Sequence, residues 1–356
     1  MISVIEGILP YIGGLWTLPW IIIGLVVTMI LSNIIGEERV RKIMKKIGLV
    51  LLFVFIPLLL FRIFLNIDFG SEEINFAVVT VCVITFMYLL SYLVAHLKVR
   101  DLALKGAERS GFLKTILTNQ GRSAAFVGGA MLAIEEWRVP AGIYISLVGI
   151  GLFAVIPYIL SIMHKKDVKS KGQHVGAMLP WYLRAYPWYL LSVVVAAVIL
   201  HELTGLTVSD FGDAGTVFYF LSALTVPAGL YYVGAGIHPR DLKFEEVKKL
   251  FLIKKEPKEK REFHWIITRN AFFISLIVTP VVLLIIFGIL YFMDMVPSEW
   301  FAVIIINSIM PITSTNMFLI PYGIDRKGTA LAVTWTTIVS VPLLLILIPL
   351  FSKLLT

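Results

Sequence analysis

Lys114-Thr-Ile-Leu-Thr-Asn-Gln-Gly-Arg-Ser-Ala-Ala-Phe-Val-Gly-Gly-Ala-Met-Leu132 reads as a membrane-spanning helix with a polar, helix-breaking middle, and Ile304-Ile-Ile-Asn-Ser-Ile-Met-Pro-Ile-Thr-Ser-Thr-Asn-Met-Phe318 reads as its counterpart. In the first, Thr118, Asn119, Gln120, Gly121, Arg122 and Ser123 stand in a row; in the second, Asn307 and Ser308 precede Pro311, Thr313, Ser314, Thr315 and Asn316. Backbone at membrane depth leaves the helix only where protein or a water-filled cavity meets its N–H and C=O groups. Paired interruptions at corresponding places in two halves of a chain point to the binding site of a transporter.

The surroundings of the pair are apolar. The chain of 356 residues is 58% hydrophobic and 15% charged, with a mean hydropathy of +0.90; a soluble domain carries about a quarter charged residues. Crossing a bilayer core of about 30 Å takes roughly 20 helical residues. Runs of that length predict ten spans, over residues 16–35, 47–65, 74–96, 114–134, 139–163, 186–203, 216–237, 264–291, 300–321 and 329–350. The expected fold is an all-α polytopic membrane protein. Residues 1–15 read as a short interfacial segment, with Tyr11 and Trp16 at headgroup level, and lack the basic start of a cleavable leader. Cys82 stands alone in an apolar run and reads as a small core residue without a disulfide.

Charge sets orientation. Arg39, Arg41, Lys42, Lys45 and Lys46 follow span 1; Lys98, Arg100, Lys105, Arg109 and Lys114 follow span 3; Lys165, Lys166, Lys169, Lys171 and Arg184 follow span 5. The loop from Arg240 to Arg269 is richer still, and Arg326 and Lys327 follow span 9. Of the 31 Lys and Arg, only Arg62, Arg138 and Lys353 fall on the other side, and Arg122 lies inside a span. The positive-inside rule puts the odd-numbered loops in the cytoplasm and both termini outside. This alternation, and not a nucleic-acid partner, accounts for the net charge of +8. Ten spans divide at the linker 164–185 into residues 1–163 and 186–356. Five is odd, so the halves insert as inverted repeats, with interrupted helices 4 and 9 in register. Leu242, Phe244, Val247, Leu250 and Phe251 recur at helical spacing and predict an amphipathic helix on the inner leaflet, either a structural connector or a partner site.

Arg122 is the sharpest chemical signal. A charge within a span is costly and marks a functional site, and a guanidinium offers five donors suited to a carboxylate. A half-helix beginning at Ser123 would add backbone donors and a positive dipole end. The structural alternative has Arg122 capping carbonyls or pairing with a fixed residue. Asn119 and Gln120 suit either a polar substrate or the break itself; Thr313, Ser314, Thr315 and Asn316 form the facing cluster, and Pro311 places its break. No Asp or Glu lies mid-span: Glu135, Glu136 and Glu202 sit at outer ends. His201-Glu202 lacks a second His at metal spacing, so no metal, cofactor or catalytic constellation is expected. Pro227, Gly229, Gly234 and Gly236 in span 7 read as packing positions. Thr334, Thr336, Thr337 and Ser340 in span 10 either line the cavity or bond between helices.

At these stretches the chain resembles the auxin efflux carrier family, which includes the plant PIN-type carriers and microbial relatives. Met310-Pro-Ile-Thr-Ser-Thr-Asn-Met-Phe-Leu-Ile-Pro-Tyr-Gly323, Ala330 and Thr337-Ile-Val-Ser-Val-Pro342 are similar to that family's last two spans, and Thr118-Asn-Gln-Gly-Arg-Ser-Ala-Ala-Phe-Val-Gly128 to its fourth. The chain departs from it at Arg122, where an Asn is common, and in lacking a Pro after Gly128. The resemblance implies a fold shared with bile-acid-type sodium symporters. Spans 1, 2, 6 and 7 would form a scaffold, and spans 3–5 and 8–10 a transport domain centred on crossing helices 4 and 9. It further implies elevator-like transport, a homodimer through the scaffold spans, small organic anions as substrates, and Asn119, Gly121, Gly128, Pro311 and Asn316 at the crossover.

The expected function is therefore secondary transport of a small organic anion, auxin-like or another carboxylate, at the plasma membrane. With no mid-span acid the carrier reads as a uniporter. A membrane sensor binding a ligand or lipid at the same crossover is the alternative from another class, and a sodium-coupled symporter the alternative within transport.

Overall fold

Long apolar rods dominate the computed structural model, which describes residues 19–67, 70–123, 131, 134–170, 181–235, 250 and 262–355. The helices are α1 (Trp20–Ile35), α2 (Glu37–Val50), α3 (Ile56–Leu65), α4 (Ser71–Asp101), α5 (Gly106–Thr118), α6 (Arg138–Ile150), α7 (Ile156–Ser170), α8 (Trp181–Thr204), α9 (Gly212–Ala223), α10 (Thr225–Ala235), α11 (Phe263–Phe273), α12 (Thr279–Phe292), α13 (Ser298–Ile309) and α14 (Arg326–Leu355). Among the described residues the architecture is all-helical, and the only extended pairing is one isolated bridge between Arg122 and Ile312. Among the described residues, five rods are long and apolar enough to cross a membrane: Glu37–Leu65, Ser71–Asp101, Val208–Tyr232, Phe263–Phe292 and Arg326–Leu354. The protein is a helical membrane protein. Trp20–Ile35, Arg138–Ile150, Trp188–Thr204 and Ser298–Ile309 are apolar but shorter.

Three rods contain a π-turn, Leu51–Phe55, Gly151–Val155 and Ile274–Val278, each joining two α-helices without a break. Each is followed at the same offset by a proline: Pro57, Pro157 and Pro280. A proline inside a helix has no N–H and clashes with the carbonyl four residues back; the wider π-turn just before it gives that carbonyl room. The carbonyl four residues before Pro57 is met from a neighbouring helix: Phe53 O accepts from the Tyr189 hydroxyl at 3.1 Å. Phe55 O, in the same π-turn, also accepts from Thr225 Oγ1 at 2.9 Å.

The helices pack in matched pairs. α1 lies on α10 as α3 lies on α8; α4 contacts α6 as α11 contacts α14; α4 contacts α5 as α12 contacts α13; α5 contacts α7 as α13 contacts α14. The α1–α10 contact is made by glycine. A Cβ on Gly24 would stand 2.1 Å from Tyr231 O, and one on Gly234 1.9 Å from Ile21 O, so the backbones touch. Gly234 thus has the packing role read from the sequence, whereas Gly236 lies outside the described residues.

Several expectations change. Cys82 is exposed on α4 and is not a core residue, because a small apolar side chain suits lipid as well as protein and hydropathy cannot tell the two. The basic residues after span 1 are not in a loop: Gly36 alone, at φ +89°, separates α1 from α2, which carries them outward in helical form. Lys114 is not a loop charge either. It sits in α5, 3% exposed, and pairs with Asp167 of α7, which offsets part of the cost of burying it. Within the expected amphipathic stretch only Leu250 is described, buried against Trp265, Phe272, Leu331 and Trp335. Residues 1–15, Gly128 and any half-helix after Ser123 lie outside the described residues.

Candidate functional site

α5 ends at Thr118 and α13 at Ile309, and the chain beyond each end runs extended past the other. Ser123 N–H donates to Pro311 O at 3.0 Å, and Thr313 N–H donates to Gly121 O at 2.9 Å. These two bonds flank the Arg122–Ile312 bridge. Each break thereby satisfies backbone groups of the other, as the interior of a membrane protein requires. Span 10 supplies more: Thr336 Oγ1 accepts from Ile312 N–H at 3.1 Å, and Ser340 Oγ donates to Ile309 O at 2.8 Å. Of the two roles open to these hydroxyls, they bond between elements, and neither lines the cavity.

The local sequence dictates the close fit. A Cβ on Gly121 would lie 2.9 Å from Leu152 Cδ1 and 3.1 Å from Asn316 Oδ1, so a larger residue here would have to push these side-chain ends aside. Pro311 cannot extend α13 and offers only its carbonyl, which Ser123 uses.

Beside the bridge is a cavity of about 80 Å³. Arg122, Ser123, Thr313 and Thr315 form its polar side, and the remaining wall comes from α2, α3, α6, α8 and α10 with the π-turns at Leu52 and Leu152. That wall is mostly aliphatic, with Tyr186 and Tyr232 added. The volume exceeds the 10–15 Å³ or so that one water needs.

Arg122 is 2% exposed. Its Nη2 donates to Ser275 O, in the third π-turn, at 3.1 Å. Nε and both hydrogens of Nη1, three of the five guanidinium donors, have no partner, and among the described residues Arg122 makes no ion pair. Thr313 Oγ1 and Thr315 Oγ1 bond each other at 2.8 Å, and Thr313 caps the 3-10 helix Ser314–Tyr322 by accepting from Thr315 N–H.

The other predicted residues sit behind this surface. Asn119, Gln120 and Asn316 are buried within the crossover and do not line the cavity. Gln120 Nε2 donates to Ser275 Oγ at 3.2 Å, and Ser275 Oγ donates to Asn119 O at 3.3 Å. The side-chain amides of Asn119 and Asn316 and the Gln120 Oε1 have no hydrogen-bond partner. The side chain of Ser314 is outside the described residues. The sequence reading missed Ser275, Thr225, Tyr186 and Tyr232. Only Ser275 left a trace, as a polar residue five before a mid-span proline.

No protein-family model matches the chain, and no curated protein matches it either.

Proposed function

We propose that this chain is a secondary transporter that moves a small organic anion by elevator-type alternating access, on a ten-span fold of two inverted five-helix repeats. The matched packing supports the repeat. Exchanging spans 1–5 for 6–10 turns the α1–α10 contact into α3–α8, the α4–α6 contact into α11–α14 and the α5–α7 contact into α13–α14. It also supports the division implied by the resemblance to auxin efflux carriers, because spans 1, 2, 6 and 7 contact one another. The cavity has walls from spans 2, 6 and 7 and from span 5 and the crossover of spans 4 and 9. A substrate carried by a moving transport domain against a fixed scaffold sits between the two.

The observation that carries the proposal is Arg122: buried, without a carboxylate partner among the described residues, with donors to spare, and lining a cavity. An uncompensated charge in a membrane protein is expensive, and a bound carboxylate would supply both the counter-charge and the acceptors. The aliphatic and tyrosine wall favours an anion with an apolar body. Plasma-membrane residence, external termini and a homodimer through the scaffold spans follow from the charge pattern and the resemblance.

The test is uptake of labelled carboxylates, indole-3-acetate and dicarboxylates included, into proteoliposomes under an imposed potential. Wild type accumulates at least one of them, and Arg122→Ala loses uptake while keeping its unfolding midpoint within a few degrees. Retained uptake would remove the site assignment. The unpartnered oxygens of Asn119, Gln120 and Asn316 favour sodium coupling as a second reading; uptake unchanged on replacing sodium by choline excludes it. Thermal stabilisation by an anion without flux would favour the sensor.

A further inference from the structure

We infer that Ser275 is a positioning residue for Arg122, holding the guanidinium by a main-chain carbonyl that the π-turn has freed. The inference rests on the anion site proposed above. In an α-helix the Ser275 carbonyl would accept from the amide of residue 279. Thr279 N–H instead bonds Ile274 O and closes the π-turn. The next amide belongs to Pro280 and has no hydrogen. Ser275 O is therefore buried with no donor on its own helix, and Arg122 Nη2 meets it at 3.1 Å.

The hydroxyl of the same residue reaches the same break twice, accepting from Gln120 Nε2 and donating to Asn119 O. One residue of the α11–α12 rod thus holds residues 119, 120 and 122. The other two π-turns have the same proline offset but a leucine, Leu52 or Leu152, at the corresponding position, and both leucines line the cavity. Only the third π-turn has a hydroxyl there to go with its free carbonyl. With Nη2 fixed, the guanidinium of a residue that lines the cavity is held in one place, its Nε and Nη1 unpartnered. The ordering is complete before a ligand arrives, which strengthens binding without adding contacts to the ligand.

The contact is a main-chain one, so the test changes the main chain. Incorporating the α-hydroxy analogue of leucine at Leu276 turns the 275–276 amide into an ester, which weakens the Ser275 carbonyl as an acceptor and leaves every side chain in place. The same change at Leu284, outward-facing on the same rod, controls for the lost N–H. For indole-3-acetate uptake the ester at 276 raises KM about fivefold, the expected effect of weakening one charge-assisted bond, with Vmax little changed; the ester at 284 leaves KM alone. An unchanged KM at 276 overturns the inference.

A second measurement does not need transport. Unfolding midpoints are compared for the 276 ester in wild type and in Arg122→Met. The ester shifts the midpoint less in Arg122→Met, because the partner is gone. Equal shifts overturn the inference. If the wild type takes up no anion, the transport reading falls and this cycle still decides the contact.

Discussion

At position 121 the crossover leaves little space for a side chain. Gly121→Ala would drive a methyl against Leu152 and Asn316 while Gly121 O must still accept from Thr313 N–H. Overpacking of this kind costs about 1–3 kcal/mol, so the unfolding midpoint falls by several degrees. Arg122→Lys is expected to behave differently from Arg122→Ala: the ammonium keeps the charge but cannot hold Ser275 O and present a planar fork at once. Its uptake is measurable, with a KM at least tenfold above wild type. Asn119, Arg122 and Thr313 were legible in the sequence because polar residues stand out in an apolar run. Ser275 was not, because a serine in an apolar helix usually bonds its own preceding turn. Its actual partners are more than 150 residues away.

Among the elements, hydropathy placed an expected span over each of the five long rods, since membrane thickness dictates their length. It did not locate their ends. α2, α4 and α5 run past the expected spans because helical backbone remains satisfied in water and charged side chains decorate it readily, as the exposed Glu38–Lys42 pair at 3.2 Å does. The prolines at 57, 157 and 280 lie within expected spans but were not singled out from the sequence. That each follows a π-turn was not visible there, because sequence does not say whether a proline kinks a helix or widens it. The glycine contact between α1 and α10 carries a sharp prediction. Gly24→Ala places a carbon 2.1 Å from the Tyr231 carbonyl, a main-chain atom that cannot swing aside. The two helices must separate, and the variant is expected to lose more stability than Gly121→Ala, read as a lower unfolding midpoint in the same detergent. Ala at exposed Gly36 is a poor control, because that residue needs its positive φ; Gly288, with open space around it, is the right one.

Across the whole molecule, one polar network ties the far ends of the rods. Lys114 and Ser110 of α5 both bond the Asp167 carboxylate of α7, and Thr115 Oγ1 accepts from Asp325 N–H just before α14. Partial burial pushes the Asp167 carboxyl up, but the hydrogen bonds from Lys114 and Ser110, with the charges of Lys114 and His164, outweigh it and hold the group below the usual carboxylate range. A depressed acid stabilises the fold above its unfolded value, about pH 4, and that contribution is lost as pH falls through the lower folded value. Asp167→Asn therefore unfolds at a lower temperature than wild type at pH 7, and the gap narrows below about pH 4. A gap independent of pH would mean that the carboxylate charge contributes nothing. The bridge at Arg122 and Ile312 has a further consequence for how the molecule is born. When the ribosome has delivered the chain as far as α7, the Ser123 amide and the Gly121 carbonyl have been made, and the stretch that will satisfy them has not. The nascent half waits with an open seam, and the late arrival of Pro311 and Thr313 closes it. Synthesis as two separate polypeptides, divided between Ser170 and Trp181, would turn that wait into a dependence: each fragment is degraded when made alone and survives when its mate is made beside it.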